Sequence, residues 1–194
     1  MIMLGYVHKG VVYMATDTTI VVNEGKRDRL SPNNFKIRKM KSGMIVGIVG
    51  DPNVRQRVLA RDDLFALDKS GKLTKTHIVN KLIPALHRFL KDSNLYEVDK
   101  DGNYDLGINL FLAYEDKLYD IAKTLWSYRI TKKTAIGEMS DLCECALKYV
   151  DPTSDIEKQL AEIMHRATTY TKYIGGPYVT INTKDQEMHI TEVK

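Results

Sequence analysis

Apolar and polar positions change period several times along the chain, and each change marks a new element. Residues 2–8 and 11–16 are dense in β-branched and aromatic side chains, with Lys9-Gly10 between them as a two-residue hairpin turn. Residues 19–22 add a third short strand, so a strand meander opens the fold. After a polar stretch over 23–34, the segment 36–40 alternates polar and apolar residues. Residues 44–49 then form a continuous apolar run closed by Gly50, the pattern of a strand buried on both faces.

The period next lengthens to that of a helix. Asp51-Pro52 supplies an acceptor for the N-cap and a proline for the first turn, and Val54, Val58, Leu59 and Leu64 form an apolar stripe running to about Leu67. A second helix starts near Thr74 or Thr76, with Ile78, Leu82, Leu86, Phe89 and Leu90 on one side; Pro84 removes one hydrogen bond from it and is expected to kink it. Strands follow over 108–114, 117–121, 125–130 and 134–136, separated by turns at Asp101-Gly102-Asn103 and Glu115-Asp116, and read as a second antiparallel sheet. Two further helices cover 140–149 and 154–173, the latter opened by Ser154 with Glu157 three residues on as a capping box. Strands over 178–183 and 188–193 close the chain around a turn near Lys184-Asp185. This order predicts one α+β domain over residues 1–194, a four-layer αββα sandwich of two stacked antiparallel sheets with two helices on each outer face.

Composition narrows the function classes. The 194 residues suffice for one buried core. The net charge of +4 comes from lysines and arginines spread along the whole chain, so no basic arm or stripe marks a nucleic-acid partner. The apolar start, Met1 to Leu4, is broken by Gly5, His8 and Lys9, and no later run reaches the roughly 18 apolar residues of a membrane span; a soluble cytoplasmic protein is the expectation. The two cysteines, Cys143 and Cys145, point to different faces of a helix and have no second pair to complete a zinc site. They read as buried free thiols.

Several short segments resemble those of proteasome β-type subunits, members of the N-terminal-nucleophile hydrolases. Residues 10–17, Gly-Val-Val-Tyr-Met-Ala-Thr-Asp, are similar to the family's opening hairpin, an apolar strand ending at an acidic residue beside the active site; Asp17 takes that place. Phe35-Lys36-Ile37 resembles the strand with the active-site lysine, and residues 43–51 resemble the oxyanion strand that leads into the first helix. Thr134-Ala135-Ile136-Gly137 is similar to the turn before the third helix, and Ile174-Gly175-Gly176-Pro177-Tyr178 to the Gly-Gly approach to a late strand. The likeness runs from Met3 to Thr183 and suits a divergent, bacterial or phage-like member.

The resemblance implies a chemistry that this sequence supplies only in part. In the family an N-terminal threonine attacks a peptide carbonyl through its hydroxyl, with its own amine as base and a lysine and an acidic residue tuning the proton transfers. The register through Asp17 puts Met1 at the nucleophile position, and neither its thioether nor the alkyl chain of Ile2 can form an alkoxide. Cleavage back to Thr16, Thr18 or Thr19 would delete the first strand. Asp17 and Lys36 are retained as a candidate ion pair, and the Gly47 N–H as a candidate oxyanion donor. Glu138 replaces the auxiliary serine, and Thr171 and Ile174 replace the acid and serine before Gly-Gly. Each retained residue also has a plain reading: a strand end for Asp17, a solvated lysine for Lys36, close sheet packing for Gly47.

Other clusters carry less. Asp99, Asp101, Asn103 and Asp105 imitate the start of a calcium loop, but Tyr104 and Leu110 stand where glycine and the bidentate glutamate are required. His8, His77, His87, His165 and His189 lack the i, i+4 spacing of a helical metal site, and Trp126 beside Tyr128 reads as sheet packing. No cofactor or metal is expected. Three functions compete. The first is an inactive structural or assembly subunit, a pseudoenzyme associating with copies of itself or related subunits in a ring or dimer. The second is an active threonine-type peptidase or amidase, a hydrolase, whose first residue differs or whose partner subunits carry the chemistry. The third is an unrelated α+β binding module.

Overall fold

The structure, a computed structural model, describes residues 1–21, 27–29, 35–95, 97–98, 104–124 and 127–193. Two five-stranded antiparallel sheets form its centre. The first has the order β12 (Lys133–Gly137), β1 (Ile2–His8), β2 (Val11–Asp17), β13 (Tyr178–Asn182), β14 (Met188–Thr191). The second has the order β11 (Ser127–Ile130), β10 (Lys117–Ile121), β9 (Ile108–Tyr114), β6 (Ile45–Gly50), β5 (Ile37–Lys39). Two small ribbons pair β3 (Thr19–Val21) with β4 (Arg27–Arg29) and β7 (Glu97–Val98) with β8 (Tyr104–Asp105).

The strand pleat sorts the apolar residues into three clusters, one between each pair of neighbouring layers. Met3, Met14, Ile45, Val49, Phe111, Ala113 and Leu118 fill the space between the sheets. Their alternate neighbours on the second sheet, Val46, Ile48, Leu110 and Leu112, pack under helix α1 (Pro52–Leu59) and helix α2, which covers 75–92. Ile2, Leu4 and Ala15 of the first sheet pack instead under α3 (Ser140–Leu147) and α4 (Ile156–Ala167). Strands buried on both faces carry apolar residues at every position, which is why the run over residues 44–49 shows no alternation. The four-layer αββα arrangement expected from the sequence is the one observed.

Local details follow their chemistry. Lys9 and Gly10 both have positive φ, 46° and 78°, as the tight hairpin requires. Asp51 caps α1, its Oδ1 accepting from the N–H groups of Asn53 and Val54 at 2.8 and 2.9 Å. Pro84 does not end α2: a π turn over Ile78–Leu82 precedes it and the helix continues to Asp92.

Some expectations are corrected. Residues 133–137 lie at the edge of the first sheet beside β1, and residues 45–50 belong to the second, because the chain crosses between layers where a linear reading keeps neighbours together. The cap of α4 is Asp155, whose Oδ1 accepts from the Lys158 N–H at 3.0 Å; Ser154 donates to Asp151 instead, and Glu157 turns toward β13. The helix ends at Ala167 and α1 at Leu59, both short of their sequence limits. Cys143 is buried but Cys145 is exposed. Asp99, Asp101, Asn103 and Trp126 lie outside the described residues. No helix among the described residues is long and apolar enough to cross a membrane, and no group of His, Cys, Asp and Glu among them could hold a metal ion.

Candidate active site at the first strand

β1 is an interior strand, flanked by β12 and β2, and Met1, just before it, sits where the two sheets, the start of α1 and the segment after α4 converge. The Met1 ammonium donates to the Tyr173 carbonyl at 2.6 Å, and the Met1 carbonyl accepts from the Glu138 N–H at 2.7 Å. Gly137, with φ +102°, passes so close to the Met1 carbonyl that a side chain there would collide with it.

Beneath this residue lies the pair expected from the sequence. Asp17 at the end of β2 and Lys36 just before β5 are both fully buried. Lys36 Nζ donates to Asp17 Oδ1 at 2.6 Å and to the Thr19 carbonyl at 3.0 Å, and Asp17 Oδ1 also accepts from the Ile2 N–H at 2.9 Å. Burial pushes the lysine down from 10.5 to about 8, against the opposing pull of Asp17. Burial likewise lowers the Met1 ammonium below its ordinary value, with Asp17 opposing and Lys36 adding to the shift. The aspartate thus ties the lysine to the backbone of the second residue.

Gly47 is elsewhere. It lies mid-strand in β6 between Ile37 of β5 and Phe111 of β9, and a side chain on it would collide with Met3 Sδ and the Met14 methyl. Its place in the fold is the close approach of the two sheets. The N–H that faces Met1 belongs to Gly50, three residues on, where β6 ends with φ +133°; its nitrogen is 3.3 Å from Met1 Sδ. Glu138 and Thr171 do come together beside Met1, with Thr171 Oγ1 3.4 Å from Glu138 Oε1. Ile174 does not: it is buried in the cluster beneath α3 and α4.

Two further residues belong to the site and were missed. Arg55 of α1 is fully buried, and its Nη1 lies 3.6 Å from Met1 Sδ. Its signal was present in the sequence, since it stands three and four residues before Val58 and Leu59 on the apolar side of α1. Tyr178, opposite Asp17 in the ladder, is buried and pushed up to about 12 by burial and by Asp17. The hydroxyls nearest the pair are committed: Thr16 Oγ1 donates to the Ile2 carbonyl at 2.8 Å and Thr18 Oγ1 to the Pro177 carbonyl at 2.7 Å.

Comparison with solved structures identifies this architecture. BPH from Thiobacillus denitrificans superposes with a TM-score of 0.74 at 20% identity, covering 94% of this chain and 97% of that one. The chain has a proteasome-subunit fold. Two other proteasome-like structures agree. Eukaryotic HslV from Trypanosoma brucei gives a TM-score of 0.62 at 15% identity, covering 94% of this chain and 98% of that one. Anbu, an ancestral beta-subunit from Yersinia bercovieri, gives 0.68 at 10%, covering 98% and 86%. A second structure of the Thiobacillus protein, in complex with epoxomicin, gives 0.73 at 18%. No protein-family model and no curated protein sequence matches the chain. In this proteasome-like fold the β1–β2 hairpin, the Asp17–Lys36 pair and the end of β6 surround one residue, and that residue is a methionine.

Proposed function

We propose that this chain is a non-catalytic proteasome-like subunit that keeps the fold for assembly. The observation that carries the reading is the side chain at the nucleophile position: Met1 presents a thioether to the Gly50 N–H, with no hydroxyl, and Thr16 and Thr18 are turned to backbone carbonyls. A thioether has no proton to surrender and cannot form an acyl ester, so the threonine mechanism has no starting point. Asp17 and Lys36 then serve as a structural pair that fixes the first strand, and Gly50 takes the place beside the site that the sequence suggested for Gly47. Self-association with copies or related subunits, in a ring or dimer, suits the fold. Two free cysteines suit the reducing cytoplasm.

The retained Asp17–Lys36 pair favours one second reading, an active threonine-type peptidase whose mature first residue differs or whose partner subunits supply the nucleophile. Intact mass spectrometry of this chain and of every subunit that co-purifies with it, before and after incubation with epoxomicin, separates the two, since an adduct on a co-purifying subunit places the chemistry there. The scaffold reading expects an unchanged mass with Met1 retained; a stoichiometric adduct on the first residue makes the chain an enzyme.

A further inference from the structure

The guanidinium of Arg55 is fully buried, yet its Nε and Nη2 have no hydrogen-bond acceptor among the described residues, and its Nη1 meets only the Met1 sulfur at 3.6 Å. A thioether is a weak acceptor. The Gly50 N–H meets the same sulfur at 3.3 Å, so two donors converge on an atom that satisfies neither well. Charge is shared in the same place, with Glu138 also acting on the Met1 ammonium, and Asp17 Oδ2 has no hydrogen-bond partner among the described residues. The Met1 ammonium, Lys36 and Arg55 all act electrostatically with Asp17, and Lys36 Nζ already holds one oxygen of that carboxylate. Asp51, the other carboxylate acting on Arg55, is exposed and caps α1. Buried N–H donors left without an acceptor are costly, so such a site suits an acceptor that arrives.

Shape decides which acceptor. Nε–H and Nη2–H lie along one edge of the guanidinium and form the side-on fork that matches the two oxygens of a carboxylate. We propose that Arg55 is a carboxylate-binding residue: a ligand carboxylate accepts from Nε and Nη2 while the Met1 side chain swings aside. Met1 is half-buried and its sulfur is only a weak acceptor for the two donors it meets, so its flexible side chain is the cheapest group at the site to displace. The carboxylate can be the free C-terminus of a peptide or a small organic acid; the bonds to Arg55 are the same for both. The inference does not depend on whether the chain is catalytic, because it concerns Arg55 and not a nucleophile.

The test is thermal denaturation and calorimetric titration of the whole chain with sodium acetate against sodium chloride at matched ionic strength, and with one short peptide as its free acid and as its C-terminal amide. Acetate at about 10–100 mM is expected to raise the Tm of the natural sequence and to leave Arg55→Met unmoved. Arg55→Lys, which keeps a charge without the fork, is expected to bind acetate about tenfold more weakly, and it carries the test if Arg55→Met does not fold. A free-acid peptide that binds more tightly than its amide identifies a chain terminus as the source; acetate binding that matches the peptide's identifies a small acid. An equal acetate response in Arg55→Met and the natural sequence overturns the proposal. Loss of binding here leaves the epoxomicin result untouched, so the two readings fail separately.

Discussion

Lys36 has no exposed surface and three polar neighbours: the Asp17 carboxylate, the Thr19 carbonyl and, through Asp17, the Ile2 N–H. Removing one member of such a pair strands the other charge, and Lys36→Met is expected to cost about 3–5 kcal/mol in urea unfolding at pH 7. Adding Asp17→Asn to it should recover part of that loss, since the carboxylate stranded by Lys36→Met is then gone, while Arg55 and the Met1 ammonium lose Asp17 as a partner. The lysine also gives stability a pH dependence of known sign. Its folded value near 8 lies below its ordinary 10.5, so between those values the unfolded chain binds more protons. Stability from this residue therefore increases as pH rises through that window, and the difference in unfolding free energy between the natural sequence and Lys36→Met should widen from pH 8 to pH 10.5. Burial pushes Cys143 up to about 11, while Cys145 is exposed. One thiol should react quickly with a maleimide and the second only after unfolding. Asp17 and Lys36 were legible in the sequence because an acid closing an apolar hairpin and a lysine opening the next strand are local features. Arg55 was not read, since a charged residue on an apolar stripe looks like the edge of that stripe until its neighbours are known.

At the scale of elements, the sites most sensitive to change are those where backbone or side chain has no room. Gly47 lets β6 approach β1 and β2, and Gly47→Ala drives a methyl group into Met3 and Met14; a loss of about 1–3 kcal/mol is expected from overpacking of that seam. Asp155→Ala should cost about 1 kcal/mol by removing the α4 cap, whereas Ser154→Ala should cost less, since Ser154 donates only to the exposed turn at Asp151. Thermal melts of the three variants check both statements. Strand and helix existence was legible from period alone, and the ranges 108–114 and 117–121 coincide with β9 and β10. Sheet membership was not: periodicity reports that β12 is half-apolar but holds nothing about whether its partner is β11 or β1. The cap of α4 was misread because Ser154 and Asp155 are both good caps, and only the hydrogen bond to Lys158 chooses between them.

For the whole molecule, the layered core predicts a gradient of protection. β1, β2, β13, β6, β9 and β10 are interior strands, each paired on both sides and covered on both faces. β14 is an edge strand with Met188 and Ile190 exposed. Native-state hydrogen exchange should find the slowest amides in the six interior strands, near the global unfolding limit, and fast exchange on the outer side of β14.

The interior position of β1 also governs how the protein must be made. Its hairpin partner β2 leaves the ribosome directly behind it, but its other neighbour is β12, with Ile2 opposite Gly137, and β2 waits still longer for β13, with Asp17 opposite Tyr178. Through most of translation the opening hairpin therefore carries two open edges on strands that are apolar on both faces, a template for pairing with the wrong chain. The segment that becomes the middle of the finished sheet is the one that a nascent chain must shield longest.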